Sequence, residues 1–99
     1  MIINFDIATT QSKVEVLQLG PLRILNIKFL SFDDDKLEGL DDVLNKAIGY
    51  GKGRKCKEVW IPADKTTVAD AKLKVLGFKH GVLKAHIPGN APNGWSLTL

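Results

Sequence analysis

The chain has 99 residues, 44% apolar and 25% charged, with a net charge of +3; this suits one folded domain, is too short for two, and excludes a disordered chain. No run approaches the roughly 18 apolar residues of a membrane span, and no basic-then-apolar leader opens the sequence, so neither a span nor a signal peptide is expected. The single cysteine, Cys56, excludes an internal disulfide, no Cys/His spacing suggests a metal site, and a reducing, cytoplasmic location is the expectation.

In chain order, residues 2–7 alternate apolar and polar after Ile2 and read as a strand. Residues 9–12 are polar and read as a turn. Residues 13–19, around Val14, Val16, Leu17 and Leu19, form a second strand closed by the Gly20-Pro21 turn signal. A third strand covers 22–30. Leu25, Ile27 and Phe29 fall on one face and Leu22, Ile24 and Leu30 on the other, which predicts a central strand covered on both sides. A helix is predicted over about 34–48, where Leu37, Leu40, Val43, Leu44, Ala47 and Ile48 recur at helical spacing. The aspartates ahead of it supply an N-cap and first-turn charge, and Gly49, Gly51 and Gly53 are expected to end it. Residues 57–61 read as a strand closed by Pro62. Residues 66–76 read as a second helix, with Thr67 and Asp70 as a capping pair and Gly77 as its stop. A strand over 78–87, a loop over 88–94 and a last strand over 95–99 complete the chain. The order β-β-β-α-β-α-β-β is that of a single α+β domain, a mixed, mostly antiparallel sheet with two helices.

Leu25-Asn26-Ile27 stands ahead of the first helix and Cys56-Lys57-Glu58-Val59 enters the next strand. Ala69 lies in the second helix and Leu76-Gly77-Phe78-Lys79 follows it. With the element order, these residues resemble the GNAT superfamily of N-acetyltransferases over residues 23–87. The resemblance implies an acyl-CoA-dependent N-acyltransferase, with acetyl-CoA as cofactor and a small-molecule or protein amine as acceptor. It implies that the third strand splays from the next one, so that the main chain of Asn26, Ile27, Lys28 and Phe29 holds the acyl carbonyl and the pantetheine arm. Lys36 and Gly39 stand in the segment where the family's loop binds pyrophosphate on free helix N–H groups. Thr66 stands where a helix-start asparagine is common.

Three departures from the family pattern bear on function. The pyrophosphate segment here runs from Asp33 to Leu40 with one glycine, and its carboxylates compete for the N–H groups and repel phosphate. Leu73 occupies the position of the tyrosine that protonates the leaving thiolate. The family's N-terminal helices, which cover one sheet face, have no counterpart ahead of the matched region. Weak or absent acetyl-CoA binding is therefore expected, and a catalytically inactive binding or structural module of the same fold is the alternative function. A homodimer is expected to cover the exposed face.

Charge is segregated. Asp33, Asp34, Asp35, Glu38, Asp41 and Asp42 are opposed only by Lys36 over residues 33–42, and Lys52, Arg54, Lys55 and Lys57 follow without a carboxylate among them. The acidic run reads as a cation site or, more plainly, as a helix start that complements the dipole. The basic run reads as a nucleic-acid or acidic-protein surface or, more plainly, as cations at a helix end. Its Gly-x-Gly pattern runs from a helix into a strand, the reverse of a phosphate-binding loop. His80 and His86 share one strand face as a candidate base or as surface residues. Tyr50 is a displaced proton donor or a packing residue. Cys56 reads as a nucleophile or, more plainly, as a small buried residue, and Trp60 and Trp95 as base-stacking residues or, more plainly, as core.

Overall fold

A computed structural model describes residues 2–7, 10–31, 39–61, 70–85 and 93–99. The strands are β1 (Ile2–Ile7), β2 (Thr10–Leu19), β3 (Leu22–Ser31), β4 (Glu58–Ile61), β5 (Lys79–Val82) and β6 (Asn93–Thr98). The helices are α1 (Leu40–Gly53) and α2 (Asp70–Val75). The expected α+β order is therefore present, with both helices and a mixed six-stranded sheet ordered β1-β2-β3-β4-β6-β5. All pairings are antiparallel except β3 with β4. A parallel pair needs a long crossover, and α1 supplies it. No helix among the described residues is long and apolar enough to cross a membrane.

Several element ends differ from the expectation. β2 starts at Thr10, inside the expected turn, because Thr10 and Ser12 are buried polar residues and the Ser12 hydroxyl donates to the Phe5 carbonyl at 3.0 Å. A strand extension can bury a hydroxyl if it finds a carbonyl. β5 stops at Val82, well short of the expected end, and residues 83–85 leave the sheet. β6 begins at Asn93, two residues before its expected start at Trp95.

The largest difference is at the end of α1. The helix passes through Gly49 and Gly51 and ends at Gly53. Packing overrides propensity here: a methyl at Gly51 would stand 3.4 Å from Leu25 Cβ and 3.5 Å from Leu99 Cδ1, so this helix turn lies directly on the sheet. α1 starts at Leu40 and not near residue 34, because Gly39 is its N-cap with a left-handed φ of 81, and no side-chain hydrogen bond supplies the expected aspartate cap; residues 34–38 themselves lie outside the described residues.

Both helices end in the same hydrogen-bonded motif. In α1, Lys55 N–H donates to Lys52 O at 3.1 Å and Cys56 N–H to Gly51 O at 2.9 Å. In α2, Gly77 N–H donates to Lys74 O at 3.0 Å and Phe78 N–H to Leu73 O at 2.9 Å. This pair of bonds is a Schellman closure, and it places its penultimate residue in the left-handed region. Gly77 takes φ 100 there at little cost, whereas Lys55 takes φ 62 with a Cβ in the way.

The main core lies between the helices and the sheet. Val14, Leu25, Ile27, Val59 and Trp95 meet Leu40, Leu44, Ala47, Leu73 and Phe78. Leu30 joins this side with Leu25 and Ile27, although simple alternation sets it opposite them. The register explains it: Lys13 pairs with Phe29 but Val14 pairs with Ile27, so Lys28 is skipped and β3 carries a bulge. A smaller core of Ile24, Trp60 and Leu83 forms on the other face, edged by Leu17, Leu19, Leu22 and Ala85. Residues 83–85 thus cover part of the face that a second copy was expected to cover.

The shared motif yields a paired prediction. Lys55→Gly should stabilise the fold by up to about 1 kcal/mol, and Gly77→Ala should destabilise it by at least about 1 kcal/mol. Urea midpoints measured side by side check both, and equal effects of the same sign would contradict the motif.

Candidate functional site at the parting of two strands

The β3–β4 ladder holds three residue pairs, Ile24↔Glu58, Leu25↔Val59 and Asn26↔Trp60. β4 ends at Ile61, while β3 continues to Ser31 in register with β2. Asn26 therefore closes the β4 ladder, Ile27, Lys28 and Phe29 run on beyond it, and the bulge falls at Lys28. A bulge leaves its extra residue out of the ladder and re-aims the neighbouring main chain, which is why bulges recur beside functional sites.

Asn26 is the unusual residue of this group. It is fully buried, and neither its side-chain oxygen nor its nitrogen has a hydrogen-bond partner. An unpaired buried polar group costs about 1–3 kcal/mol. Glu15 lies directly opposite Asn26 on β2, and its carboxylate approaches Lys28 Nζ at 3.8 Å. Both ends of that pair are partly solvated, so it contributes little to stability.

Trp60 faces Asn26 across the ladder, fully buried, and its indole N–H donates to Glu58 Oε1 at 3.0 Å. The other carboxylate oxygen of Glu58 accepts from Lys84 Nζ. Glu58 is thus a buried carboxylate held between an indole and an ammonium, and Lys84 ties residues 83–85 across the sheet. Sequence reading missed this cluster. The signal was there: Glu58 begins the otherwise apolar run Glu58-Val59-Trp60-Ile61, and a carboxylate so placed needs a partner.

Gly39 stands apart from the strand residues, at the N-cap of α1 with φ 81, and its carbonyl accepts from Val43 N–H at 2.8 Å. No side-chain hydrogen bond caps this helix start. Asp41 and Asp42 occupy its first turn, both exposed, and Asp41 pairs with Lys72 of α2 at 2.8 Å. A cleft of about 390 Å³ opens beside this pair between α1 and α2. Lys36, Thr66, His86 and the aspartates at 33–35 lie outside the described residues.

The remaining candidates are packing residues. Leu73 is buried in the main core. Tyr50 meets the Phe5 ring edge-on at 5.9 Å, with the Arg54 guanidinium 5.2 Å from its ring centre. His80 packs edge-on against Trp95 at 5.0 Å. Burial pushes the Cys56 thiol up, although a hydrogen bond and the charge of Arg23 pull the other way. A raised thiol makes a poor nucleophile. Among the described residues, no group of three or more His, Cys, Asp or Glu is placed to hold a metal ion.

No protein-family model matches the chain, and a search of curated proteins returns no relative.

Replacing the unpartnered amide with a hydrocarbon should help the fold. Asn26→Val is expected to raise stability by about 1 kcal/mol, by removing the unpaired groups. A urea titration reads this directly; a lowered midpoint would mean that the amide is satisfied in solution.

Proposed function

We propose that this chain is a small GNAT-like protein that binds an acyl thioester along β3, as an N-acyltransferase whose amine acceptor is unassigned. The observation that carries the reading is the Lys28 bulge in β3, just past Asn26↔Trp60, the last described pair of the β3–β4 ladder. Main-chain groups of residues 26–29 orient the acyl carbonyl and the pantetheine arm. The side-chain amide of Asn26, fully buried and without a hydrogen-bond partner, lies beside them. Attack by an amine on a thioester held this way needs little beyond positioning.

The reading limits how cofactor is held. A helix start binds phosphate through open N–H groups and a positive dipole end. Here that end carries Asp41 and Asp42, and the pairing of Asp41 with Lys72 leaves Asp42 without a described counter-charge. Affinity then comes from the acyl-pantetheine arm, and the nucleotide half of CoA contributes little.

A second reading, an inactive module of the same fold that binds no CoA, draws support from the same carboxylates and from hydrocarbon at Leu73.

Thermal denaturation separates the two. Acetyl-CoA and S-acetylpantetheine at equal millimolar concentration should raise Tm by similar amounts, and acetate should not. A ligand at about 100 times its Kd adds roughly 2.7 kcal/mol. If neither thioester moves Tm, the acyl-binding reading falls and the inactive module stands. If only acetyl-CoA does, the account of the helix start is wrong.

A further inference from the structure

The turn that closes α1 carries a charge pattern that neither the fold nor the acyl site uses. Lys52, Arg54, Lys55 and Lys57 are all exposed, and among the described residues none has a carboxylate partner. Cations at a helix end commonly serve the last carbonyls or the dipole. Only Lys52 lies within the last turn. The carbonyls of Tyr50, Gly51 and Lys52 already accept from the main-chain N–H groups of Arg54, Cys56 and Lys55. The cations are therefore not needed to satisfy those carbonyls.

Lys55 sharpens the point. It is the one non-glycine residue with positive φ among the described residues, at a position that glycine would occupy without strain. Its main chain makes the same bonds that Gly77 makes in α2. What lysine adds is an exposed ammonium with no partner among the described residues. A residue held in a disfavoured conformation without a structural return points to a role outside the fold.

We propose that this turn docks the sugar-phosphate backbone of single-stranded nucleic acid, with Lys52, Arg54, Lys55 and Lys57 each neutralising a phosphate. The surroundings favour phosphates over an acidic protein. A protein interface needs an apolar centre, whereas the exposed residues of the turn are these cations with Gly49 and Gly53. Among the described residues, the exposed large apolar side chains, Ile2, Val75 and Val82, belong to other elements. Four cations on one tight turn suit a flexible strand that can bend its phosphates around them, rather than a rigid duplex. Tyr50, the adjacent aromatic, already contacts Phe5 and Arg54, so the proposed binding rests on the cations and not on base stacking, and is indifferent to base sequence. The turn is the opposite end of α1 from Gly39, about 21 Å away by helix rise, so this proposal is independent of the acyl reading.

Fluorescence anisotropy with labelled single-stranded DNA and RNA 12-mers, over a salt series, tests it. Four phosphate contacts to a single strand predict a log–log salt slope of about −2.8. Lys55→Gly should weaken binding several-fold and reduce the slope by about 0.7, while leaving the protein at least as stable. That opposition separates a docking residue from a folding one. Lys52→Glu with Lys57→Glu should weaken binding more than tenfold, and Lys74→Glu, on α2, should change it little. Absence of salt-sensitive binding overturns the proposal, as does tighter binding to a polyglutamate peptide than to either 12-mer. An equal loss in Lys74→Glu also overturns it, because net charge and not this turn would then govern the interaction.

Discussion

The parallel ladder from Ile24↔Glu58 to Asn26↔Trp60 joins two antiparallel halves, the meander β1-β2-β3 and the set β4-β6-β5, and the arrangement of the domain depends on how that short seam is held. The seam is sealed from both sides. Leu25 and Val59 are fully buried under the helices, and Ile24 and Trp60 are fully buried under residues 83–85. It is extended at one end by Lys57 N–H to Arg23 O at 2.7 Å. At the other end β3 continues without its β4 ladder. A ladder this short does not stabilise itself; burial on both faces does.

Buried polar groups sit on the less protected face of that seam. The Glu58 carboxylate is matched by Trp60 and Lys84, while the Asn26 amide is matched by nothing in the fold. The two cases differ in kind. Glu58 fastens the segment after β5 to the sheet, so its polarity has a structural use, even though Lys84, 67% exposed, makes a modest tether. Asn26 has no such use, and its placement in the last described pair of the ladder, two residues before the Lys28 bulge, is what makes this end of the seam a candidate site.

The helix α1 separates charge along its length. Its acidic first turn complements the dipole and discourages anions, and the cations beyond its last turn gather at the other end. Opposite charge is thus exposed at the two ends of one helix. This follows from the order of charges along one element and requires no rearrangement of the fold.

The element order, the two helices and the mixed sheet were legible in the sequence, because they follow from period-two and period-3.6 apolar patterns and from turn residues such as Gly20-Pro21 and Gly77. The segregation of acid and base was equally plain. What the sequence could not show was where local preference yields to packing. Gly49 and Gly51 read as a stop, yet the helix continues because Gly51 lies against Leu25 and Leu99. Leu30 reads as belonging to the face of Ile24, yet one skipped residue at Lys28 turns it to the face of Leu25. Lys55 reads as an ordinary surface cation, and only the Schellman bonds reveal its left-handed backbone. Asn26 reads as a strand residue among apolar neighbours, and its isolation becomes visible only when Glu15 and Trp60 are set beside it. In each case the deciding contacts join residues distant in sequence, so composition and period carry no trace of them, and tertiary packing decides the site.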